Sequence, residues 1–400
     1  MNDSIRIVLA APMATRDVEP TTGWKNIPIK KGSASWQPKR ERIEDEIETG
    51  TRVKTTELLR GGNEDMLSFT TLLYYETIAI LHAPFFSSFV TTAHGSTTGV
   101  KDHVAKDGSN LPVIAFRFYD GAQWWQMLNC QGSELDINLP SKSSPTADYK
   151  FVGSAAQKLP VLTIADSTGQ GAVLDLVVNS AGVPTAVIVI EPGTNYTAPT
   201  VTAGGPGTGV TFVVTLGTGA TAGQIVSVAP SGGTGYVPSV AQTQGKAIDW
   251  PQLLIRINGS QYVDFISGKL SFKNDLEALY TANRSADPTR YLEGEFQPAY
   301  EILPDFKSDT ASIFQQWRNN KEPGPLEVEF ADTRRAIGSA SPTNPLLLYK
   351  LHKPLHKTGD HDMKGKNART PIKGVGGLHY GDGCAASVKF TNTDTSYAAA

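Results

Sequence analysis

Imidazole and carboxylate groups gather in the stretch "LHKPLHKTGDHDMK", which contains His352, His356, Asp360, His361 and Asp362. Such groups are ligands for Zn²⁺, and two histidines four residues apart would share one face of a helix. Pro354 lies between the two histidines and opposes a helix there. We therefore interpret the stretch as a surface loop, and we predict no metal site and no cofactor.

Signals of nucleophilic catalysis are weak. No G-x-S-x-G segment occurs, and neither Cys130 nor Cys384 lies in a setting typical of a catalytic cysteine. Two cysteines also argue against a disulfide scaffold, although one bridge remains open. The sequence therefore predicts no catalytic residue and a protein that is not an enzyme, while paired acids for glycoside hydrolysis are left as an open alternative.

Charge and composition narrow the class of protein. The net charge of -3 argues against a general nucleic-acid binder, which would carry a basic excess. The 38 glycines and 25 prolines indicate many turns and few long helices. No apolar stretch reaches the roughly 20 residues that a membrane span needs, so we expect no membrane insertion.

The middle of the chain contains a repeat with a period of 39 residues. Pro160, Pro199 and Pro238 each open a similar β-rich run, and Tyr196 and Tyr236 occupy matching places after glycine-rich segments. A constant period is the signature of stacked or paired supersecondary units. We predict β-strands joined by glycine turns, with the two tyrosine rings packed over glycines.

Charge density divides the chain into three parts. Between residues 151 and 240 the charged side chains are only Lys158, Asp166, Asp175 and Glu191, so charge concentrates in the two flanks. We place domain boundaries near residues 150 and 245, where the density of charged side chains changes. This gives domains at 1–150, 151–245 and 246–400.

The two flanks resemble each other. Gly32, Ser35 and Trp36 match Gly268, Ser271 and Phe272 at a constant offset of 236 residues. In each flank a β-like run and a short helix follow, over Tyr74–His82 in the first and Asp309–Asn320 in the second. The pattern predicts a duplicated unit, with chance similarity between β-rich segments as the open alternative.

These segments carry a resemblance to a known family. "GWKNIPIKKGSASWQPKRERIEDEIETGTR" resembles the opening half of tail tube proteins of long-tailed bacteriophages, and "FISGKLSFKNDLEALY" with "PIKGVGGLHYGDGCAASVKFTN" resembles the closing half. The resemblance implies a mainly β fold of duplicated tail-tube-type β-sandwich or barrel halves, each with one short α-helix. The middle repeat, which resembles glycine- and tyrosine-rich modules of phage virion proteins, would be an inserted all-β domain that faces outward as a decoration.

The resemblance also implies a function and partners. We expect a structural virion protein, made in the host cytoplasm, that polymerises into stacked rings of the tail tube and conducts DNA during ejection. The ring would be a homotrimer with pseudo-sixfold symmetry, or a homohexamer. Further partners would be the tape measure, tail terminator and distal tail proteins, and the polar stretch 91–110 would be a loop that contacts the next ring.

Carboxylates are expected to face the bore of this tube. In "RERIEDEIETG" strand alternation would place Glu44, Glu46 and Glu48 on one face, and Asp275 and Glu277 occupy the matching part of the second flank. Carboxylates repel DNA phosphates, whereas cations would bind them. The i,i+4 spacing of oppositely charged residues in the same run leaves a solvated helix as the alternative.

Two other classes of protein stay open. One is a virion adhesin or capsid decoration protein that binds surface glycans, although residues 151–240 offer few aromatic platforms. The other is an enzyme that degrades polysaccharides.

Overall fold

The structure is a computed structural model. It describes residues 5, 7–20, 23–46, 55–120, 124–140, 142–159, 162–178, 183–204, 207–234, 245–262, 265–281, 286–304, 324–339, 341–358 and 371–393.

Strands dominate these residues because β-branched and aromatic side chains alternate with polar ones over most of the chain. The first flank contains β1 (Ile7–Pro12), β2 (Lys25–Ile27), β3 (Ser35–Glu46), β4 (Thr55–Leu72), β5 (Ser88–Ala93), β6 (Lys101–Lys106), β7 (Ile114–Tyr119), β8 (Trp124–Leu139) and β9 (Thr146–Gly153). The middle contains β10 (Gln157–Leu159), β11 (Leu162–Ala165), β12 (Gln170–Val178), β13 (Pro184–Thr194), β14 (Thr200–Ala203), β15 (Thr208–Leu216) and β16 (Ile225–Thr234). The second flank contains β17 (Leu253–Ile257), β18 (Ser260–Tyr262), β19 (Phe265–Leu279), β20 (Arg290–Pro304), β21 (Leu326–Ala331), β22 (Leu346–Leu351), β23 (Lys353–Thr358), β24 (Ile372–Gly377) and β25 (Ala386–Asn392).

Helical structure is short. Among the described residues, one α-helix, α1, spans Ile78–His82, and 3-10 turns span Ala83–Phe85, Gly219–Thr221 and Trp250–Gln252. No helix of the described part of the chain is long and apolar enough to cross a membrane.

The chain forms two compact units. The first comprises residues 1–116, 127–155 and 243–400, and the second comprises 117–126 and 156–242. The assignment of residues 151–245 as a separate inserted decoration domain remains a proposal.

Strands from both flanks form one large antiparallel sheet. Its order includes the run β3-β4-β9-β8-β19-β20-β24-β23, in which β8 pairs directly with β19. Within this run each flank contributes four neighbouring strands in an equivalent order. The first flank gives the hairpin β3-β4 followed by β9 and β8, and the second gives the hairpin β19-β20 followed by β24 and β23. This repeated order is what a duplication predicts, and it also shows that the two flanks share a sheet instead of forming one each.

A second sheet covers the inner face of the first. It has the order β18-β17-β21-β22-β25-β6-β5 and again combines strands from both flanks. Phe272 on β19 and Tyr349 on β22 stack across the interior with ring centroids 6.0 Å apart. The core of the first unit therefore lies between the two sheets and is rich in aromatic side chains.

Helix α1 lies inside this core. The rings of Tyr149 on β9 and Tyr349 on β22 both lie 5.6 Å from the His82 ring, and all five helix residues are buried. The sequence predicted a short helix over Tyr74–His82. The helix starts four residues later and packs between the sheets, because every side chain of "IAILH" is buried. The second predicted helix, Asp309–Asn320, lies outside the described residues.

Two stretches predicted as loops lie partly in strands. Part of the polar stretch 91–110 belongs to the hairpin of β5 and β6, in which His103 is buried and Lys106 is exposed. His356 lies within β23, and His352 lies between β22 and β23. Pro354 excludes a helix but is tolerated in β23, since this strand lies at the end of the sheet order.

The second unit repeats a three-strand pattern. Strands β11, β12 and β13 are followed about 39 residues later by β14, β15 and β16, and pairing is β11-β14, β12-β13 and β15-β16. Gly193 and Gly232, which are 39 residues apart, have φ angles of 64° and 67°. This left-handed conformation favours glycine and accounts for its recurrence at the repeat period.

Candidate functional site

The large sheet exposes one side to solvent. Side chains alternate along its strands, so that Phe69, Leu135, Tyr149 and Phe272 enter the core while their neighbours point away from it. We name the outward side the polar face. Its described members include Glu64, Ser68, Thr70, Glu134, Asp136, Asn138, Asp148, Lys150, Lys269, Ser271, Lys273, Asp275, Glu277, Glu295, Gln297, Glu301 and Lys373.

In two rows of the polar face the charges alternate in sign from strand to strand. Glu134 on β8 lies opposite Lys150 on β9 and Lys273 on β19. In a second row, Glu301 on β20 lies opposite Lys269 on β19 and Lys373 on β24. Directly opposed residues have Cβ atoms about 4.5–5.5 Å apart, so each row places opposite charges side by side.

Ion pairs form within and between these rows. Lys273 Nζ lies 2.6 Å from a carboxylate oxygen of Glu134, and Lys373 Nζ lies 3.0 Å from one of Glu301. Lys269 Nζ lies 2.7 Å from a carboxylate oxygen of Asp136. The three lysine side chains are about half exposed, so each pair contributes only about 0.2–1 kcal/mol to stability.

Hydrogen bonds complete the network around these pairs. The hydrogen bond to Glu134 raises the pKa of Lys273. Asp148 accepts a hydrogen bond of 2.5 Å from Thr70 Oγ1 and one of 2.6 Å from Asn138 Nδ2. On the polar face, three lysines are therefore ion-paired with carboxylates, and one carboxylate, Asp148, accepts hydrogen bonds from neutral donors.

Two of the predicted bore-facing carboxylates lie on the polar face. Asp275 and Glu277 are two residues apart on β19, and both are exposed. None of the ion pairs among the described residues includes either carboxylate. They therefore add negative charge to a face whose other acids are largely paired.

The first-flank carboxylates belong to a strand as far as the structure describes them. Glu44 and Glu46 are backbone partners of Leu58 and Thr55 in the pairing of β3 with β4. The alternative of a helix over this run is therefore wrong up to Glu46. Glu48 lies outside the described residues, and the bore-facing role of all five carboxylates remains a prediction.

Tyr196 is buried against glycines in the second unit. A Cβ atom added at Gly169 or Gly193 would lie only 2.0 Å or 2.6 Å from its ring. Its hydroxyl accepts a hydrogen bond of 3.1 Å from the backbone N–H of Ala172. Tyr196 also contributes to the unit's core with Val201, Ile225 and Val228. Tyr236 lies outside the described residues.

One organising residue of the second unit was missed by the sequence analysis. Asp166 accepts hydrogen bonds from the backbone N–H groups of Thr168, Gly169, Thr197 and Ala198, which ties the turn after β11 to the segment before β14. These bonds, first those from Thr168 and Gly169, lower the pKa of Asp166. The "DSTG" sequence was the available signal, because aspartate commonly accepts from backbone two residues ahead in a turn.

The two described histidines considered as metal ligands have different hydrogen-bond partners. Nδ1 of His352 lies 2.7 Å from the Asp382 carboxylate, whereas His356 is hydrogen-bonded to the hydroxyl of Tyr300. In the described part of the chain no three metal-ligating side chains form a group that could hold an ion. Asp360, His361 and Asp362 lie outside it. Cys130 and Cys384 are both free thiols and buried.

Paired β-sheets with an aromatic core and an extended charged face define a mainly β protein. The chain belongs to the phage tail tube protein family, since the family model described as "Phage tail tube protein" matches residues 5–347. It is accordingly a structural component of the bacteriophage tail, and the family assembles with itself and with other tail components into a tube. No curated protein matches the chain significantly.

Proposed function

We propose that the chain builds stacked rings whose bore conducts DNA during ejection, and that the polar face lines this bore. The observation that supports the proposal is the alternation of lysine and carboxylate across the face. An unpaired lysine binds DNA phosphate and releases counterions, so a bore rich in free lysines would retain DNA. A lysine already held by a carboxylate offers much less attraction.

Asp275 and Glu277 are proposed to give this bore a net repulsion for phosphate. Glu44, Glu46 and Glu48 would act in the same way in the first flank. A channel walled by protein focuses the field of such charges, so they act on DNA over about the Debye length of 8 Å at physiological salt.

Ring closure is proposed to use the two ends of the large sheet. Strands β3 and β23 lie at the ends of the eight-strand run and would pair with strands of neighbouring chains, since unpaired edges are otherwise prone to aggregation. Such a head-to-tail contact generates a ring when its rotation closes. The repeated strand order would supply two quasi-equivalent sectors per chain, which favours a trimer with pseudo-sixfold symmetry over a hexamer.

The second unit is proposed to decorate the outside of the tube, because an insert in the bore would block DNA. Its sheets carry few charges and expose Val173, Ile188, Ile190 and Val213. The chain would be made in the host cytoplasm and would join the tape measure, terminator and distal tail proteins at assembly.

The test is the rate of DNA ejection from phage assembled with variant subunits. D275K/E277K should leave tubes intact and make ejection slow and salt-sensitive, and D275N/E277Q should have a smaller effect because repulsion is lost without attraction. Glu191→Lys, at an exposed position of β13, is the matched charge control and should not change the rate. Equal ejection rates for wild type and D275K/E277K, in intact tails, would contradict the proposed role of the polar face.

A further inference from the structure

A second polar site lies on the outer face of the seven-stranded sheet. It joins Ser387 on β25, His352 between β22 and β23, and Asp382 in the segment between β24 and β25. Nε2 of His352 lies 2.8 Å from Ser387 Oγ, and its Nδ1 lies 2.7 Å from Asp382 Oδ2. The three side chains thus form a continuous hydrogen-bonded chain from carboxylate to imidazole to hydroxyl.

The carboxylate fixes the direction of the proton donors. Asp382 accepts the Nδ1–H of His352, which leaves the lone pair of Nε2 directed at the Ser387 hydroxyl. Burial lowers the pKa of His352, so the imidazole is neutral at neutral pH and can accept the hydroxyl proton. The hydrogen bond from His352 in turn lowers the pKa of Asp382. This order of groups is the one used by serine hydrolases, where it activates the hydroxyl for attack.

Several contacts hold the arrangement in place. The backbone N–H of His352 donates to the Ala385 carbonyl at 3.0 Å, and Asp107 accepts from the N–H groups of Ala385 and Ala386. Lys106 Nζ donates to the backbone carbonyl of Asp382 at 3.0 Å. The loop that carries Asp382 is therefore tied to β6 and to the start of β25.

Positive charge flanks the serine on both sides. Ser387 is the register partner of Lys350 on β22 and of Lys106 on β6. Both ammonium groups act on the His352 imidazole electrostatically. Lys350 Nζ lies 3.3 Å from the Glu327 carboxylate, so the positive charge left to stabilise an oxyanion at Ser387 is mainly that of Lys106.

Two other described histidines of the first unit, His82 and His356, lack this combination of partners and access. His82 is fully buried, and its Nδ1–H donates to the carbonyl of Ile78 instead of to a carboxylate. His356 bonds to the phenol of Tyr300. The two partners of His352, in contrast, are the hydroxyl of Ser387 and the carboxylate of Asp382, and both are partly exposed to solvent.

We propose that Ser387 is an activated nucleophile that hydrolyses short-chain carboxylic esters, with His352 as the general base and Asp382 as the residue that positions it. This activity goes beyond the proposed tube function and uses none of the residues of the polar face. Ser387 is partly exposed, which is compatible with a small acyl group and not with a bulky one.

The reaction balances without a cofactor. Ser387 Oγ bonds to the acyl carbon while its proton passes to His352 Nε2. The carbon–oxygen bond to the leaving alkoxide then breaks, and the alkoxide takes that proton and departs as an alcohol. A water molecule, deprotonated by His352, attacks the acyl carbon; the bond from this carbon to Ser387 Oγ breaks, and His352 returns the proton to Oγ as the carboxylic acid leaves. Ester and water thus give acid and alcohol, with no oxidation.

The experiment is labelling of the purified full chain with a fluorophosphonate, followed by peptide mass spectrometry, and hydrolysis of p-nitrophenyl acetate. Wild type should carry the phosphonyl group at Ser387, and S387A should lose both the label and the hydrolysis. H352Q should lower kcat/KM by about 10²–10⁴-fold, the range for general base catalysis. D382N should lower it and D382E should restore most of it, which a merely structural role would not predict. Ser227→Ala, at an exposed strand serine, is the control and should react as wild type does.

Circular dichroism establishes that each variant is folded. Wild-type protein that leaves Ser387 unlabelled overturns the proposal without reference to any variant. Labelling of Ser387 at an equal rate in folded H352Q overturns it as well, because His352 would then play no part in activation.

Discussion

The two compact units use different means to hold strands together. The first unit packs aromatic side chains between two sheets, and the ring of Tyr349 contacts those of both Phe272 and His82. The second unit has a small aliphatic core and seats Tyr196 directly over Gly169 and Gly193. Stability therefore depends on large buried rings in the first unit and on glycines that make room for a ring in the second.

Loss of a core ring should have the largest effect, and it should be confined to the first unit. Phe272→Ala removes a fully buried ring that contacts Phe86 and Tyr349, and such truncations cost about 3–5 kcal/mol. Hydrogen exchange followed by mass spectrometry should show lost protection in both sheets of the first unit and retained protection in β12–β16. Equal loss of protection in both units would contradict the distinction.

Addition of a methyl group should break the second unit. Gly193→Ala would place a Cβ 2.6 Å from the Tyr196 ring and from the backbone nitrogen of Ala172, at a φ of 64°. We expect a loss of about 2–3 kcal/mol, the upper range for single substitutions. Gly219→Ala has a similar φ of 61° but nothing within 4 Å, and it should cost only the backbone strain of about 1–2 kcal/mol. Local exchange rates in β12 and β13 measure the difference, and equal costs would mean that the tyrosine contact is unimportant.

Acid should weaken the first unit through His82. Burial lowers the pKa of His82 to about 3, whereas the unfolded chain binds a proton near the ordinary value of 6.5. The unfolded state therefore binds more protons between these values, and the free energy of unfolding falls as pH falls through this window. Between pH 6.5 and 5 the loss is about 2 kcal/mol.

Urea unfolding at pH 7, 6 and 5 checks this expectation. His82→Gln should be less stable at pH 7, because Gln must replace the hydrogen bonds to Ile78 and Tyr349, but its stability should depend less on pH. An unchanged pH slope in folded His82→Gln would assign the acid sensitivity to other groups.

Ion pairs of the polar face should have the smallest effect on stability. Glu134→Gln and Glu301→Gln each release one lysine that is about half exposed, so the unfolding free energy should change by less than about 1 kcal/mol. Binding of duplex DNA at low salt should nevertheless increase, because the released lysines become free to contact phosphate. Lys273→Gln and Lys373→Gln are the matched variants and should not increase binding. No increase for either glutamate variant would mean that the pairing does not mask the lysines.

Much of the fold could be predicted from sequence patterns. The 39-residue period predicted the β11–β13 and β14–β16 repeat, and the match of Ser35 with Ser271 identified strands that hold equivalent places in the large sheet. The alternation of residues around Glu44 also indicated a strand, although the i,i+4 spacing of opposite charges left a helix as the alternative. The family resemblance is confirmed by the match over residues 5–347.

Other features depend on contacts that a sequence pattern does not encode. The burial of α1 follows from rings on β9 and β22, which lie far from it in sequence. The pairing of Lys273 with Glu134 needs the register of β8 with β19. The approach of Ser387 to His352 joins residues 35 positions apart, so the sequence analysis, which sought local motifs, found no nucleophile.

The central claim is that the polar face lines the bore of the tube. Cryo-electron microscopy of assembled tubes tests it most directly, since the map locates β19 relative to the tube axis. We predict that Asp275, Glu277, Lys273 and Glu301 face the axis, with the second unit on the outer surface. A map in which these side chains face outward, or are buried between rings, would contradict it.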